Sequence, residues 1–149
     1  MKVLLAGGSG IVGTLVIPFL KKNHTLRVFD RHAPADSSIE FQQGDITDPQ
    51  ALETAAKGMD AFIYLAMGNL EWEEWSGIDS AYDVNIKGLH FLFRTAAKQG
   101  ITQAVYCSSM SVYSDLRSRY FPDEEIPPDE TELYGLSLIH ISEPTRRSD

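Results

Sequence analysis

The sequence predicts an α/β protein, a doubly wound parallel sheet of about five strands in the order 3-2-1-4-5 with helices on both faces. Three observations predict it. Short, wholly apolar runs alternate with segments of helical period. The first of these runs stops at a glycine cluster that opens a helix. Turn residues punctuate nearly every junction between them.

Val3 to Ala6 is an apolar run of the kind that forms a strand buried on both faces. Gly10 to Lys22 has helical spacing, with Ile11, Leu15 and Phe19 on one stripe and Val12, Val16 and Leu20 on another. Pro18 inside it removes a backbone bond and predicts a kink. Thr25 to Phe29 is the second strand, closed by Asp30, and Ser38 to Gln42 is a weaker third. Asp48 reads as a helix cap with Pro49 at the first helical position, in a helix that runs to about Lys57 and ends at Gly58. Ala61 to Leu65 is the fourth strand. After an acidic, aromatic loop from Met67 to Trp75, a long helix from about Ser76 to Gln99 stops at Gly100. Ala104 to Cys107 is the fifth strand, and Ser114 to Thr131, rich in Pro, Asp and Glu, is a loop.

A chain of 149 residues holds one domain with a core and is too short for a second, substrate-binding domain. Its net charge of -8 argues against nucleic acid or an anionic membrane as the main partner, since both attract basic faces. One cysteine, Cys107, allows no internal disulfide, and no apolar stretch has the length of a signal-peptide core or a membrane span. The expected location is cytoplasmic.

The chemistry concentrates where the first strand meets Gly7-Gly8-Ser9-Gly10-Ile11-Val12-Gly13. Gly7, Gly10 and Gly13 are spaced three apart. The first permits a tight turn, the middle one lets a pyrophosphate approach the backbone, and the last lets the helix lie close to the strand. Free N–H groups and the positive end of the helix would hold the phosphates. Asp30 ends the second strand at the distance where a carboxylate receives the adenosine ribose hydroxyls. It would repel a 2′-phosphate, so NAD is expected and NADP less so. The neighbouring Arg31 could stack on adenine or pair with that phosphate.

The glycine spacing, together with the segments GDITD, YLA, DVNIKGLHFLFRTAAKQG and VYCSSMSVY, resembles the extended short-chain dehydrogenase/reductases, the NAD-dependent epimerase/dehydratase group, over about residues 1–135. The resemblance implies a Rossmann-like fold and an oxidoreductase that moves hydride through nicotinamide on a nucleotide sugar or similar hydroxy/keto substrate. It makes Asp45 and Ile46 the pair that meets adenine, and Leu65 and Ala66 the backbone beside the cofactor. Asn85 matches an asparagine of the long helix, more often structural than catalytic. Ser109 matches the catalytic serine, and Tyr134 the tyrosine that opens Y-x-x-x-K. The tyrosine would act as acid/base, and the serine would hydrogen-bond the substrate oxygen. Plainer readings are that Ser109 caps the fifth strand, Tyr134 is a loop residue and Asp45 is a turn residue. Relatives often dimerise through the long helix and the tyrosine's helix, so a homodimer is a further expectation.

The pattern breaks at residue 138, where Leu138 stands in the place of the lysine. From Leu136 to Arg146 the text reads as the in-frame translation of a transposon-end adapter used in preparing sequencing libraries. The expectation is therefore an incomplete dinucleotide-binding domain at 1–135 and a non-native tail at 136–149, with the C-terminal substrate domain absent. Such a piece would be inactive, would end in an open apolar edge at Ala104–Cys107, and would have any helix begun at Tyr134 stopped by Pro144. The competing reading is a non-catalytic dinucleotide sensor, against which Ser109 and Tyr134 both argue.

His24, His32, His90 and His140 have no metal-ligand spacing, so no metal site is expected. Cys107 is expected as a small apolar residue at a buried strand end. Trp72 and Trp75 are expected to pack their own loop, and the acids at Asp123–Glu125 to be solvated.

Overall fold

The computed structural model describes residues 1–69, 71, 73–114 and 126–146, with side chains described as far as residue 140. Trp72 and Asp123–Glu125 therefore lie outside the described residues. Two compact units share the chain: Met1–Met67 with Lys87–Cys107, and Gly68–Ile86 with Ser108–Asp149.

The first unit is the expected sheet. Its strands are β1 (Lys2–Ala6), β2 (Thr25–Asp30), β3 (Glu40–Gln43), β4 (Ala61–Tyr64) and β5 (Gln103–Tyr106). They are all parallel, in the order β3-β2-β1-β4-β5. Leu4, Leu5 and Ala6 of β1 are fully buried, as a central parallel strand requires. On one face Val3, Leu5, Leu26, Val28 and Ala61 pack with Ile17 of α1 (Ile11–Leu20). On the other, Phe62 of β4 meets Phe93 of α4 (Leu89–Gln99) edge to face, with centroids 5.4 Å apart.

Helix α2 (Pro49–Ala55) begins as expected: the Asp48 carboxylate accepts from Gln50 N–H at 2.9 Å and Ala51 N–H at 3.2 Å. It ends two residues before Lys57, because Arg27 of β2 reaches in and donates to the carbonyls of Ala55 at 2.7 Å and Lys57 at 3.0 Å. A guanidinium at the negative end of a helix replaces the bonds the next turn would have made.

Helix α1 differs from its sequence stripes. Gly13 and Ile17 are its buried residues, whereas Ile11, Leu15 and Phe19 are 84%, 65% and 69% exposed. Gly13 rests on the Gly8 backbone and Ile17 on the core of the sheet, so it is this side of the helix that excludes water. Pro18 lies inside the helix and is exposed, and the helix continues two residues beyond it. At β5, Val105 is 56% exposed and Cys107 is exposed too. The buried cysteine expected from the sequence is corrected accordingly: β5 is the last strand of the sheet order, with β4 on one side.

In the second unit, α3 (Trp75–Ala81) passes into a π-helical stretch over Tyr82–Gly88 where one regular helix was expected. Trp75 is 82% exposed, so it does not pack its loop as expected: it is the first residue of α3 and stands on its solvent side. Helix α5 (Leu133–Arg146) runs through Pro144. Pro144 falls in its last turn, where a single backbone bond is forgone, so the expected stop at this proline is corrected. No helix among the described residues is long and apolar enough to cross a membrane.

Candidate functional site: a glycine cradle and a serine–tyrosine segment

The four glycines of the loop do different work. Gly7 has φ +82°, and a Cβ there would overlap the backbone of Leu65 and Ala66. The end of β1 therefore presses directly on the segment after β4, bonded by Leu65 N–H to the Ala6 carbonyl at 2.7 Å. At Gly13 a Cβ would overlap the Gly8 carbonyl, so α1 rests on the loop's own backbone. Gly8 is also crowded, with Leu5 and Val28 atoms 2.9 Å from its Cβ position. Gly10 is the open one: among the described residues, the Gly7 carbonyl at 3.5 Å is the one neighbour within 4 Å of its Cβ position. Crowding around Gly7, Gly8 and Gly13 and space at Gly10 form a cradle into which a ligand can approach the backbone. Ile11 and Val12, 84% and 44% exposed, border that space with apolar side chains held in water.

Asp30 is tied to this loop. Its Oδ2 accepts from Ser9 N–H at 3.0 Å and its Oδ1 from His32 N–H at 3.2 Å. Ser9 Oγ donates to the His32 carbonyl at 2.6 Å. The carboxylate thus joins the end of β2 to the glycine loop while each oxygen keeps further acceptor capacity. Arg31 is exposed, and its charge helps hold Asp45 below the ordinary carboxylate range. The main cause of that shift is the Thr47 N–H donated to Asp45 Oδ1 at 2.9 Å, with the Thr47 hydroxyl at 2.8 Å adding to it and partial burial opposing. That oxygen of Asp45 performs the turn role. Ile46 is 8% exposed, and its side chain crowds Gly88.

In the second unit, Ser109 caps a 3-10 turn over Met110–Val112. Its Oγ accepts from Ser111 N–H at 3.1 Å and lies 3.2 Å from Ser111 Oγ. Tyr134 is in the first turn of α5 and half-buried. The carbonyl of Val112 accepts from the N–H groups of both Asp129 and Glu130 at 3.1 Å, which joins the serine turn to the approach to α5. Asn85 is 2% exposed. Its Oδ1 accepts from Gly68 N–H at 2.9 Å, and its Nδ2 donates to Ser137 Oγ at 3.0 Å. Ser137 Oγ in turn donates to the Tyr134 carbonyl at 2.7 Å. Both polar atoms of the Asn85 amide thus bond to the polypeptide, with one Nδ2 hydrogen and one Oδ1 lone pair left over. Leu138, in the lysine position, is 5% exposed.

Sequence reasoning missed Ser111 and Gly135. The S-x-S spacing and the glycine that follows Tyr134 were the signals available. Among the described residues no group of three His, Cys, Asp or Glu could hold a metal ion.

The model of the NAD dependent epimerase/dehydratase family matches residues 3–148. The chain belongs to that family. Among its relatives is an N-acetyl-alpha-D-glucosaminyl-diphospho-ditrans,octacis-undecaprenol 4-epimerase of Escherichia coli O157:H7, 31% identical, covering 97% of this chain and 42% of that protein. A 3 beta-hydroxysteroid dehydrogenase/Delta 5-->4-isomerase of Mycobacterium tuberculosis is 34% identical, covering 85% of this chain and 36% of the other. A short-chain dehydrogenase/reductase from Agrobacterium tumefaciens, solved with bound NAD, superposes with a TM-score of 0.86 at 30% identity, over 99% of this chain and 46% of its own. The family member described here thus spans less than half the length of these relatives.

Proposed function

We propose that the full-length protein is an NAD-dependent epimerase/dehydratase-type oxidoreductase acting on a nucleotide sugar, and that residues 1–135 carry its cofactor site. The observation that carries the cofactor reading is the contrast within the glycine loop: Gly7, Gly8 and Gly13 are packed shut and Gly10 is open, with the Asp30 carboxylate fixed beside Ser9. The N–H groups of Gly8, Ile11 and Val12 would hold the pyrophosphate, those of Ser9 and Gly10 being given to Asp30 and the Gly7 carbonyl. Asp30 would take the adenosine ribose hydroxyls and disfavour a 2′-phosphate, so NAD is preferred to NADP. Arg31 and Asp45 would flank adenine, with the backbone of Ile46, Leu65 and Ala66 alongside.

NAD, when bound, supplies a reversible hydride acceptor. The chain's own residues handle the proton: the Tyr134 phenolate takes it from the substrate hydroxyl and, as the phenol, returns it, while the Ser109 hydroxyl donates a hydrogen bond to the same oxygen. A phenol ordinarily ionises near 10, so a cation one helical turn on is needed to favour the phenolate. Leu138 cannot supply that charge. The chain as it stands is therefore inactive, and residues 136–149 are adapter-derived, with the native protein carrying lysine at 138. The nucleotide-sugar assignment draws on relatives such as the UDP-glucose 4-epimerase of Neisseria meningitidis, 28% identical over 91% of this chain.

Resequencing the source locus past the codon for Gly135, then assaying the full-length product with NAD and UDP-glucose for the C4 epimer or for NADH, tests the proposal. Lysine at 138 and turnover lost on Tyr134→Phe are expected. A locus that encodes LIHISEPTRRSD and stops would favour the sensor reading instead.

A further inference from the structure

Helix α5 starts against the serine turn with no room between them. A Cβ on Gly135 would overlap the Ser111 carbonyl on one side and the Glu130 side chain on the other. Both neighbours are fixed. The Ser111 backbone belongs to the turn that Ser109 caps, and Glu130 is held by its own bonds, its N–H to the Val112 carbonyl and its Oε1 from Thr131 N–H at 2.7 Å and Glu132 N–H at 2.9 Å. Tyr134 is the residue before this contact and Ser109 lies two residues before the Ser111 side of it. Gly135 is buried, and its φ is not positive, so its backbone suits any residue. Helix propensity alone favours alanine at a helical position. Glycine stands here against that preference, and the contact with Ser111 is what requires it.

We infer that Gly135 is a positioning residue: its missing side chain lets α5 seat on the Ser111 carbonyl and so sets the separation of Ser109 from Tyr134. The inference rests on the roles proposed above for those two residues. A Cβ at 135 must push the start of α5 off the serine turn, because a backbone carbonyl cannot rotate away as a long side chain can. Tyr134 then moves relative to Ser109, while the glycine loop and Asp30 are untouched.

The test is Gly135→Ala in the full-length enzyme, assayed with NAD and UDP-glucose and crystallised beside the wild type. The expected result is a fall in kcat of about 10- to 100-fold, an unchanged KM for NAD, and a visibly lengthened Ser109 Oγ to Tyr134 Oη distance. Unchanged kcat, or an unmoved Tyr134, would overturn the inference. If Gly135→Ala fails to fold, the double variant Gly135→Ala with Glu130→Ala takes the Glu130 Cγ out of the crowding and leaves its Cβ and the carbonyl overlap, and it must show the same loss. A wild-type enzyme without turnover would defeat the proposed function itself, and this inference with it.

Discussion

The Asp30 carboxylate accepts the Ser9 N–H at 3.0 Å, across twenty-one residues of sequence, and so couples the tip of β2 to the glycine loop that follows β1. The acidic residue proposed to take the ribose therefore also shapes the loop proposed to hold the phosphates.

Replacing Asp30 by asparagine leaves one amide oxygen for two N–H donors, those of Ser9 and His32, and turns an NH2 group toward the other. Hydrogen bonds to a charged group contribute about 1.5–3 kcal/mol each. Calorimetric titration should show NAD binding weakened by about 10- to 100-fold, with the preference over NADP narrowed. Unchanged NAD affinity would remove Asp30 from the site.

Two glycines of one loop should respond in opposite ways to alanine. Gly13→Ala drives a Cβ into the Gly8 carbonyl and should cost about 1–3 kcal/mol, read as a lower melting temperature. Gly10→Ala meets the Gly7 carbonyl at an ordinary contact distance of 3.5 Å, so its stability should hold within about 0.5 kcal/mol of the parent. Its NAD affinity should nevertheless fall, because the added methyl occupies the approach to the backbone. Equal melting losses for the two would contradict the cradle described here.

The Asn85 amide links Gly68 N–H to Ser137 Oγ inside the second unit. Asn85→Ala strands the buried Gly68 N–H, at about 1–3 kcal/mol, while the Ser137 hydroxyl loses one donor and keeps its bond to the Tyr134 carbonyl. Urea unfolding of Asn85→Ala, Ser137→Ala and the double variant should give losses that are less than additive. Strictly additive losses would show that the two side chains act independently.

The sheet was legible in the sequence because buried parallel strands are nearly continuous apolar runs, and VLLA and AFIY each stop at turn chemistry. All five strands lie within two residues of their expected bounds, and Asp30 closes the second of them as expected. Which side of α1 is buried was not legible. Apolar periodicity marked two stripes, Ile11, Leu15 and Phe19 and Val12, Val16 and Leu20, whereas the buried residues are Gly13 and Ile17 with Leu20 packed beside them. The π-helical stretch over Tyr82–Gly88 also has no periodic signature, and its residue Asn85 is tied to Gly68 and Ser137, contacts distant in sequence. Gly135 illustrates the same limit, since a glycine's neighbour, Ser111, is visible only once the chain has folded.

Lys21 Nζ lies 2.7 Å from Asp36 Oδ2 on the surface. That bond, with those from Ser38, pulls the Asp36 carboxyl down to about 2. A carboxyl that ionises more readily folded than unfolded stabilises the fold above its ordinary value near 4, and that contribution is lost as pH falls toward 2. Carboxyl titration by NMR should place the Asp36 midpoint at about 2 and move it upward on Lys21→Ala. A midpoint already at the ordinary value in the parent would show that the pair does not persist in solution.

The most direct test of the account is a calorimetric titration of this chain with NAD and, separately, with NADP. The account predicts saturable binding of NAD at one site per chain, with NADP weaker. Absence of NAD binding by a folded chain, or NADP bound as tightly as NAD, would contradict the assignment of the glycine loop and Asp30 as an NAD site.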